Sequence, residues 1–430
     1  MIHALTLAAA LIASPGDTIP TVTLRDALRE AVRLDPAWVQ SAGLVENAEW
    51  ARKAALLVFF LPTLNASADY SELSTQQFNL GTGRPANATG RASIDARYEL
   101  FSGGRKLFGA RQASAELESA RAGELGQRYE TALLVEREYY DVLTARELLD
   151  VARDRARRAV EQFGTARARV TSGATVPSDS LQLLLERQRA DIDVLRREAT
   201  LTVAQLQLGR RIGRAVPVDA APLDSAPPAP LGLTLDEAVE RAVAQGPAWR
   251  QARAAERSAE AQIRVRQSNY LPTVTLTASI GKFDDKFFPT LTNRRSIGFQ
   301  IALPIWDGGQ RELAIERLKT GRTVARAIRE DLERAARRDV TEAYTGYDVA
   351  RRSLELAQSG VGFAVEVLRV QEVRYRGGAA TVLELLDAQA QLVQAQADLV
   401  QARYAARLAR ASLEVILGQR LSPDSDRSDP

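Results

Sequence analysis

The sequence predicts a mainly α protein built as two tandem repeats, each a β-hairpin joined to a very long helical hairpin. Three observations predict this. A set of landmarks recurs at an offset of 205–211 residues. The patterning switches from helical to period two at the same place in each copy. A stretch of roughly 65–70 residues without proline follows each switch.

The duplication is carried by short motifs kept in order. Leu24-Arg25-Asp26-Ala27 returns as Leu235-Asp236-Glu237-Ala238, and Asp35-Pro36-Ala37-Trp38 as Gly246-Pro247-Ala248-Trp249, both at an offset of 211. Phe60-Leu61-Pro62-Thr63 returns as Tyr270-Leu271-Pro272-Thr273 at 210. Phe101-Ser102-Gly103-Gly104 returns as Trp306-Asp307-Gly308-Gly309, and Ile212-Gly213 as Leu417-Gly418, both at 205. The drift falls between the Leu-Pro and Gly-Gly landmarks, which places the length variation in an exposed loop. The repeats are therefore set at residues 22–215 and 233–418. The linker 216–232 between them is rich in proline (Pro217, Pro222, Pro227, Pro228, Pro230) and reads as extended. The polar tail 419–430 reads as disordered. The short apolar run Ile2–Ala13 reads as the core of a signal peptide covering about residues 1–15, with Ala13 near its cleavage site.

Each repeat opens with a short amphipathic helix that stops at Asp35-Pro36 or Gly246-Pro247, since proline restarts a helix rather than continuing it. A second helix runs to Leu61-Pro62 or Leu271-Pro272. Alternation follows. Leu64, Ala66, Ala68 and Tyr70 answer Ile94, Ala96, Tyr98 and Leu100 in the first copy. Val274, Leu276, Ala278 and Ile280 answer Ile297, Phe299, Ile301, Leu303 and Ile305 in the second. The hairpins are thus placed at about 63–101 and 273–305, with loops at Leu73–Gly90 and Asp284–Arg295. Strands of about ten residues cross a bilayer when tilted. Tyr70, Tyr98, Phe101, Phe283, Phe287, Phe288 and Trp306 suit an interfacial girdle. Four strands cannot close a barrel, and a membrane tolerates no open edge. Three chains would supply about twelve strands.

The long helices are placed at Arg105–Ser172 and Gln310–Arg376, with Ser102 and Asp307 as N-caps. Each reaches on the order of 100 Å at 1.5 Å per residue. Gly123, Gly126, Gly346, Gly360 and Gly362 give room for bending or close packing. Breaks at Thr171–Pro177 and Arg376–Thr381 lead to return helices of about 35 residues, which makes antiparallel hairpins. Heptads mark the second copy. Tyr347, Leu354, Val361, Leu368 and Tyr375 run beside Ala350, Ala357 and Ala364. Leu385, Leu392, Leu399, Ala406 and Leu413 run beside Ala388, Ala395, Ala402, Ala409 and Ile416. These are coiled-coil seams. The first return helix shows a weaker row at Leu185, Ile192, Ala199 and Leu206.

Composition narrows the function. There is no Cys, and the single His is His3. Thiol catalysis, disulfides, His-based general-base chemistry and His or Cys metal sites have no material, so neither an enzyme nor a cofactor is expected. The 57 Lys and Arg nearly balance 54 Asp and Glu and interleave with them along the helices. That is a solvated surface, not a nucleic-acid footprint.

Two segments are family landmarks. Leu303-Pro304-Ile305-Trp306-Asp307-Gly308-Gly309 is a strand-to-helix junction, echoed by Phe101, Gly103 and Gly104 in the first copy. Residues 374–387, Arg-Tyr-Arg-Gly-Gly-Ala-Ala-Thr-Val-Leu-Glu-Leu-Leu-Asp, are a helix-turn-helix tip. With the duplication, they make the chain resemble the TolC family of outer-membrane efflux proteins over about Val22–Gly418. The resemblance implies a homotrimer with a 12-stranded β-barrel in the outer membrane and an α-helical barrel reaching through the periplasm. It implies the exit duct of a tripartite efflux or type I secretion system, which passively conducts substrate from an inner-membrane transporter, by way of a periplasmic adaptor, to the exterior. It also implies a gate at the tips. Glu384 and Asp387 match the acids that line the constriction, Asp179 resembles a further gate acid, and Tyr375 resembles the gate tyrosine. Gly173, Ala174, Thr175, Gly378, Ala379 and Ala380 match the adaptor-docking tips. Where some relatives place an Arg in the second tip this chain has Ala380, and Arg376 is the nearest cation to take its place. Glu384 and Asp387 also read as ordinary charges favourable to a helix N-terminus. A soluble coiled-coil scaffold is the alternative that the helices alone allow.

Overall fold

The computed structural model describes residues 19–79, 83–173, 176–223, 230–285 and 292–421. The segment expected to be a signal peptide, the tip residues Ala174 and Thr175, and the aromatics Phe287 and Phe288 lie outside them.

Two series of elements follow the same order. The first runs β1 (Thr21–Val22), α1 (Leu24–Leu34), α2 (Pro36–Leu57), β2 (Thr63–Asn79), β3 (Arg84–Phe101), α3 (Arg105–Thr171) and α4 (Pro177–Arg211). After β4 (Asp219–Ala220), the second runs α5 (Leu235–Gln245), α6 (Pro247–Gln267), β5 (Thr273–Asp284), β6 (Thr292–Ala302), α7 (Gln310–Arg376) and α8 (Val382–Leu417). Prolines at the first turns of α2, α4 and α6 start those helices, where a missing N–H costs nothing. Asp35 caps α2 by accepting from Ala37 N and Trp38 N, each at 3.0 Å.

The helices form one wall. α3 packs on α2 and α6 toward the strands, and on α4 and α8 away from them. α7 packs on α6 and then on α8. α8 meets α6 end to end, with Gly418 against Pro247 and Gly246 against the Ile416 carbonyl. Where the two hairpins meet, Tyr140 stacks on Tyr404 at 5.7 Å. The core on this wall joins α1 to Val135, Tyr139 and Leu143 of α3 and to Leu208 and Ile212. Tyr139 OH donates to the carbonyls of Ala221 (2.7 Å) and Val22 (3.2 Å) and so ties the parallel β1–β4 pair to α3. α5 packs in the same way on Val340, Leu413 and Leu417.

The four long strands form one antiparallel sheet in the order β2-β3-β5-β6, with both outer edges unpaired within the chain. One face carries exposed Leu64, Ile94, Ile280, Ile297, Phe299 and Ile301. The other carries Ser67, Ser93, Asp95 and Ser279, with Ser67 and Ser93 hydroxyls 3.1 Å apart and Ser93 donating to Asp95 at 3.0 Å. An apolar outside backed by a polar inside is the pattern of a membrane barrel wall. Among the described residues, no helix is long and apolar enough to cross a membrane.

Several expectations are corrected. No loop spans Leu73–Gly90. β2 and β3 run on as a ladder to Phe78↔Pro85 and Asn79↔Arg84, with a register shift between Glu72 and Gln77. The second hairpin ends at Ala302 rather than 305, because Pro304 has no N–H to give the ladder. Ser102 and Asp307 are not the N-caps. Gly104 and Gly309 hold that position at φ 87° and 81°, a conformation that disfavours any side chain. In α4 the buried row is Leu183, Ala190, Ala204 and Leu208, while Leu185, Ile192, Ala199 and Leu206 face outward. The 216–232 segment is not wholly extended linker. Val218 and Ala220 are fully buried, and β4 pairs with β1. Nor is the tail free from residue 419. Arg420 donates to Glu414 at 2.7 Å and to Glu136 at 3.0 Å, both buried carboxylates.

Gly103 shows how tightly the strand-to-helix turn is set. Its φ is +59°, and a Cβ there would stand 2.6 Å from the Ser268 carbonyl and 2.8 Å from Leu271 Cβ. Gly308, its counterpart, has φ +71° but open space around it. Gly308→Ala is expected to cost only the left-handed backbone strain, about 1–2 kcal/mol. Gly103→Ala adds a backbone clash and lowers the thermal midpoint further, as followed by circular dichroism. Equal shifts for the two variants would refute the close approach.

Candidate functional site: the helical tips

The tips are built by two glycines in the left-handed region. α3 ends at Thr171 and turns through Gly173 (φ +75°), and α7 ends at Arg376 and turns through Gly378 (φ +75°). Gly378 N donates to the Tyr375 carbonyl at 3.1 Å and Ala379 N to the Arg374 carbonyl at 2.8 Å, so the last carbonyls of α7 are satisfied. α8 then starts on a capping box. Thr381 Oγ1 accepts from Glu384 N at 3.3 Å, and the Glu384 carboxylate accepts from Thr381 N at 3.2 Å.

A small apolar cluster holds the two tips together. Val382, Leu385, Ala388 and Leu392 of α8 meet Leu368 and Tyr375 of α7, Ala166 of α3 and Leu183 of α4. Ala380 packs partly buried against the same cluster. Glu384 and Asp387 lie off that buried row and are exposed. Asp387 accepts from Gln391 Nε2 at 2.7 Å. The structure therefore places both acids on the solvent side of α8, and it gives Glu384 the capping role as well.

Tyr375 is 5 % exposed, and its hydroxyl has no hydrogen-bond partner among the described residues. Burial raises its phenol pKa, the nearby Asp179 carboxylate raises it further, and Arg169 opposes them. Asp179 itself is half-buried at the start of α4. So the geometry gathers Tyr375 and Asp179 at the seam between the copies.

Arg169, which no motif in the sequence marks, is the tip's principal cross-link. Its Nη1 donates to the Tyr375 carbonyl at 2.6 Å, and its guanidinium carbon sits 5.2 Å from the Tyr375 ring centroid. One side chain from the first hairpin thus grips both the backbone and the ring of the second. The available signal was its place in the last helical turn before a glycine, where a cation meets free carbonyls. Arg376, the cation nearest the absent tip Arg, stays exposed within the chain. It lies 3.6 Å from Glu372 on its own helix and is 70 % exposed. Arg374 closes the turn instead, donating to the Ala379 carbonyl at 3.3 Å.

The junctions at the other end are stapled by cations as well. Arg311 is 6 % exposed, and it donates to the carbonyls of Pro304 (2.8 Å) and Ile305 (3.1 Å). It pairs with Asp307 at 3.1 Å and lies over the Tyr270 ring. Its counterpart Lys106 donates to the Glu99 carbonyl and lies 4.4 Å over Tyr98. Phe101 and Trp306 are exposed beside these staples, Trp306 at 78 %.

The profile of the outer membrane efflux protein family matches residues 24–214 and 238–419. This chain belongs to that family. Its place is the outer membrane, as an efflux or secretion channel, and family members are channels rather than enzymes. Among similar proteins are CyaE of Bordetella pertussis, 24 % identical over 94 % of this chain and 85 % of that one, and TolC of Escherichia coli, 25 % identical over 83 % and 74 %. The outer membrane protein VceC of Vibrio cholerae shares the fold, with a TM-score of 0.77 at 17 % identity over 93 % of this chain and 97 % of that one. The helices that the family carries into the periplasm are here α3, α4, α7 and α8.

Proposed function

We propose that three copies of the chain close into one passive exit duct, joined at the tips to a periplasmic adaptor and, through it, to an inner-membrane transporter. The observation that carries this is the four-stranded sheet, apolar on one face and open at both edges. β6 of one protomer then pairs with β2 of the next, which gives twelve strands and no free edge. The helical wall has matching open edges. α7 exposes Val349, Leu356, Phe363 and Val370 at seven-residue spacing, and α4 exposes Leu181, Leu185, Ile192 and Leu195. Coiled-coil seams of this kind are buried by a neighbour.

In that assembly Glu384 and Asp387 form two rings of three carboxylates at the periplasmic entrance. Such rings draw cations and repel anions. Tyr375, Asp179 and Arg169 set how close the two hairpins stand. Gly173–Thr175 and Gly378–Ala380 are the surfaces offered to the adaptor. At the far end, Phe101, Gly103, Gly104, Pro304, Trp306, Asp307, Gly308 and Gly309 turn the chain from barrel to helix at the membrane interface.

The test is extraction from outer membranes in mild detergent. A trimer that inserts into planar bilayers and prefers cations is expected. Glu384→Gln with Asp387→Asn is expected to remove most of that preference, read as the reversal potential in a salt gradient. A chain that stays monomeric and freely soluble would sink the duct.

A further inference from the structure

The face of the wall near the sheet holds an unusual concentration of arginine. Arg52, Arg121, Arg250, Arg253 and Arg257 line one groove of about 470 Å³ between α2, α3 and α6, with Glu118 its one acidic lining residue. A second groove of about 610 Å³ continues it toward the sheet, sharing Ser114, Glu118 and Arg257 and adding Arg111, Arg264 and Glu260. Two of these seven cations are neutralised, Arg257 by Glu118 at 2.7 Å and Arg121 by Glu49 at 2.7 Å. Arg253 stacks on Trp249, Arg111 stacks on Phe108, and Arg264 donates to Gln267. Among the described residues, no carboxylate lies within ion-pair distance of Arg52, Arg111, Arg250, Arg253 or Arg264. Farther along α3, Arg146, Arg153, Arg155 and Arg157 are each paired with an acid, so the stripe is not a by-product of composition.

The orientation of the stripe follows from the heptad register of α3. Glu118, Leu125, Ala132 and Tyr139 stand seven residues apart, so the groove shares a face with Tyr139, which holds β1 and β4. Elements stacked on a wall that rolls into an open duct must lie outside, since inside they would fill the passage. The arginines therefore face the periplasm. They begin beside the strand-to-helix junction and descend from Arg264 to Arg250, about 20 Å at 1.5 Å per residue. A layer of lipid headgroups is only some 5–8 Å deep. It meets the top of the stripe and leaves the rest bare.

We propose that this stripe binds an extended polyanion bearing spaced carboxylates, the chemistry presented by the peptide stems of the cell-wall glycan, and so anchors the duct in the wall beneath the membrane. Guanidinium forks suit planar carboxylates bidentately. A row of them at intervals of three to seven residues suits a chain rather than a point ligand. The inference rests on the outward orientation that the duct assembly gives this face.

The test uses the detergent-solubilised assembly sedimented with purified sacculi at physiological ionic strength. The parent is expected in the pellet, with an affinity that falls steeply as salt rises. The triple variant Arg52→Gln, Arg250→Gln, Arg253→Gln is expected to bind at least tenfold more weakly. It breaks no ion pair, so its sizing profile and conductance should match the parent. Equal sedimentation of parent and variant would overturn the proposal. So would capture of the parent by phosphatidylglycerol vesicles without capture by sacculi. Failure of the duct itself shows on the sizing column, separately from failure in the pellet.

Discussion

Gly378→Trp abolishes export while the protein still assembles in the outer membrane. Gly378 holds φ +75°, and among the described residues only Arg169 Nη2, at 3.9 Å, lies near the position of a Cβ. A side chain there costs about 1–2 kcal/mol of left-handed strain, and it meets no packed core. The hairpin has that much to spare, because α7 and α8 are joined along their whole seam from Tyr347 and Leu354 to Leu392 and Leu413. What a large side chain destroys is the surface of the turn, which is where the adaptor is proposed to dock. Gly378→Ala therefore serves as the control. It carries the same strain without the bulk and is expected to keep most export. The measurement is resistance to a transported compound in cells whose own duct is deleted, beside the trimer content of their outer membranes. Full export by Gly378→Trp would remove the second tip from the docking surface.

The same turn shows why parts of the fold were legible in the sequence. Gln310–Arg376 was readable to the residue, because each end is marked by a glycine in a conformation that other residues avoid. The hairpin ends were not readable. Beyond Tyr70 and Ile94 the sequence stops alternating apolar and polar residues, although the backbone ladder continues to Asn79↔Arg84. Period-two patterning reports a half-buried strand, not a strand as such. α4 failed for a different reason. It carries two apolar rows, and sequence spacing does not say which one meets α3 and which waits for a neighbour. The acids of the tip were visible as charges near a helix start. The residues that grip backbone were invisible. Arg169 and Arg311 bond to carbonyls, which every residue has, and Arg169 reaches across 206 positions to do so.

Arg169→Ala is expected to loosen the tip and raise the resting conductance. The guanidinium makes a charge-assisted bond to the Tyr375 carbonyl and lies against its ring. Such a bond contributes about 1.5–3 kcal/mol where it is sheltered. The site is half-sheltered, so the lower end of that range is the fair one, and it still shifts a two-state equilibrium about tenfold. Arg376 lies with Glu372 and Arg374 is spent closing its own turn. Removing Arg169 also removes the group that opposes the rise in the Tyr375 phenol pKa. That phenol stays neutral at working pH either way, so the effect is mechanical rather than protonic. The Ala166–Leu183–Leu368–Leu385 cluster then carries most of the hold between the two hairpins at this end. Arg169→Lys keeps the charge but loses the planar fork, and it should fall between Ala and the parent. Single-channel recordings give the ranking directly. Identical closed-state conductance in all three would show that the contact holds shape without holding the gate.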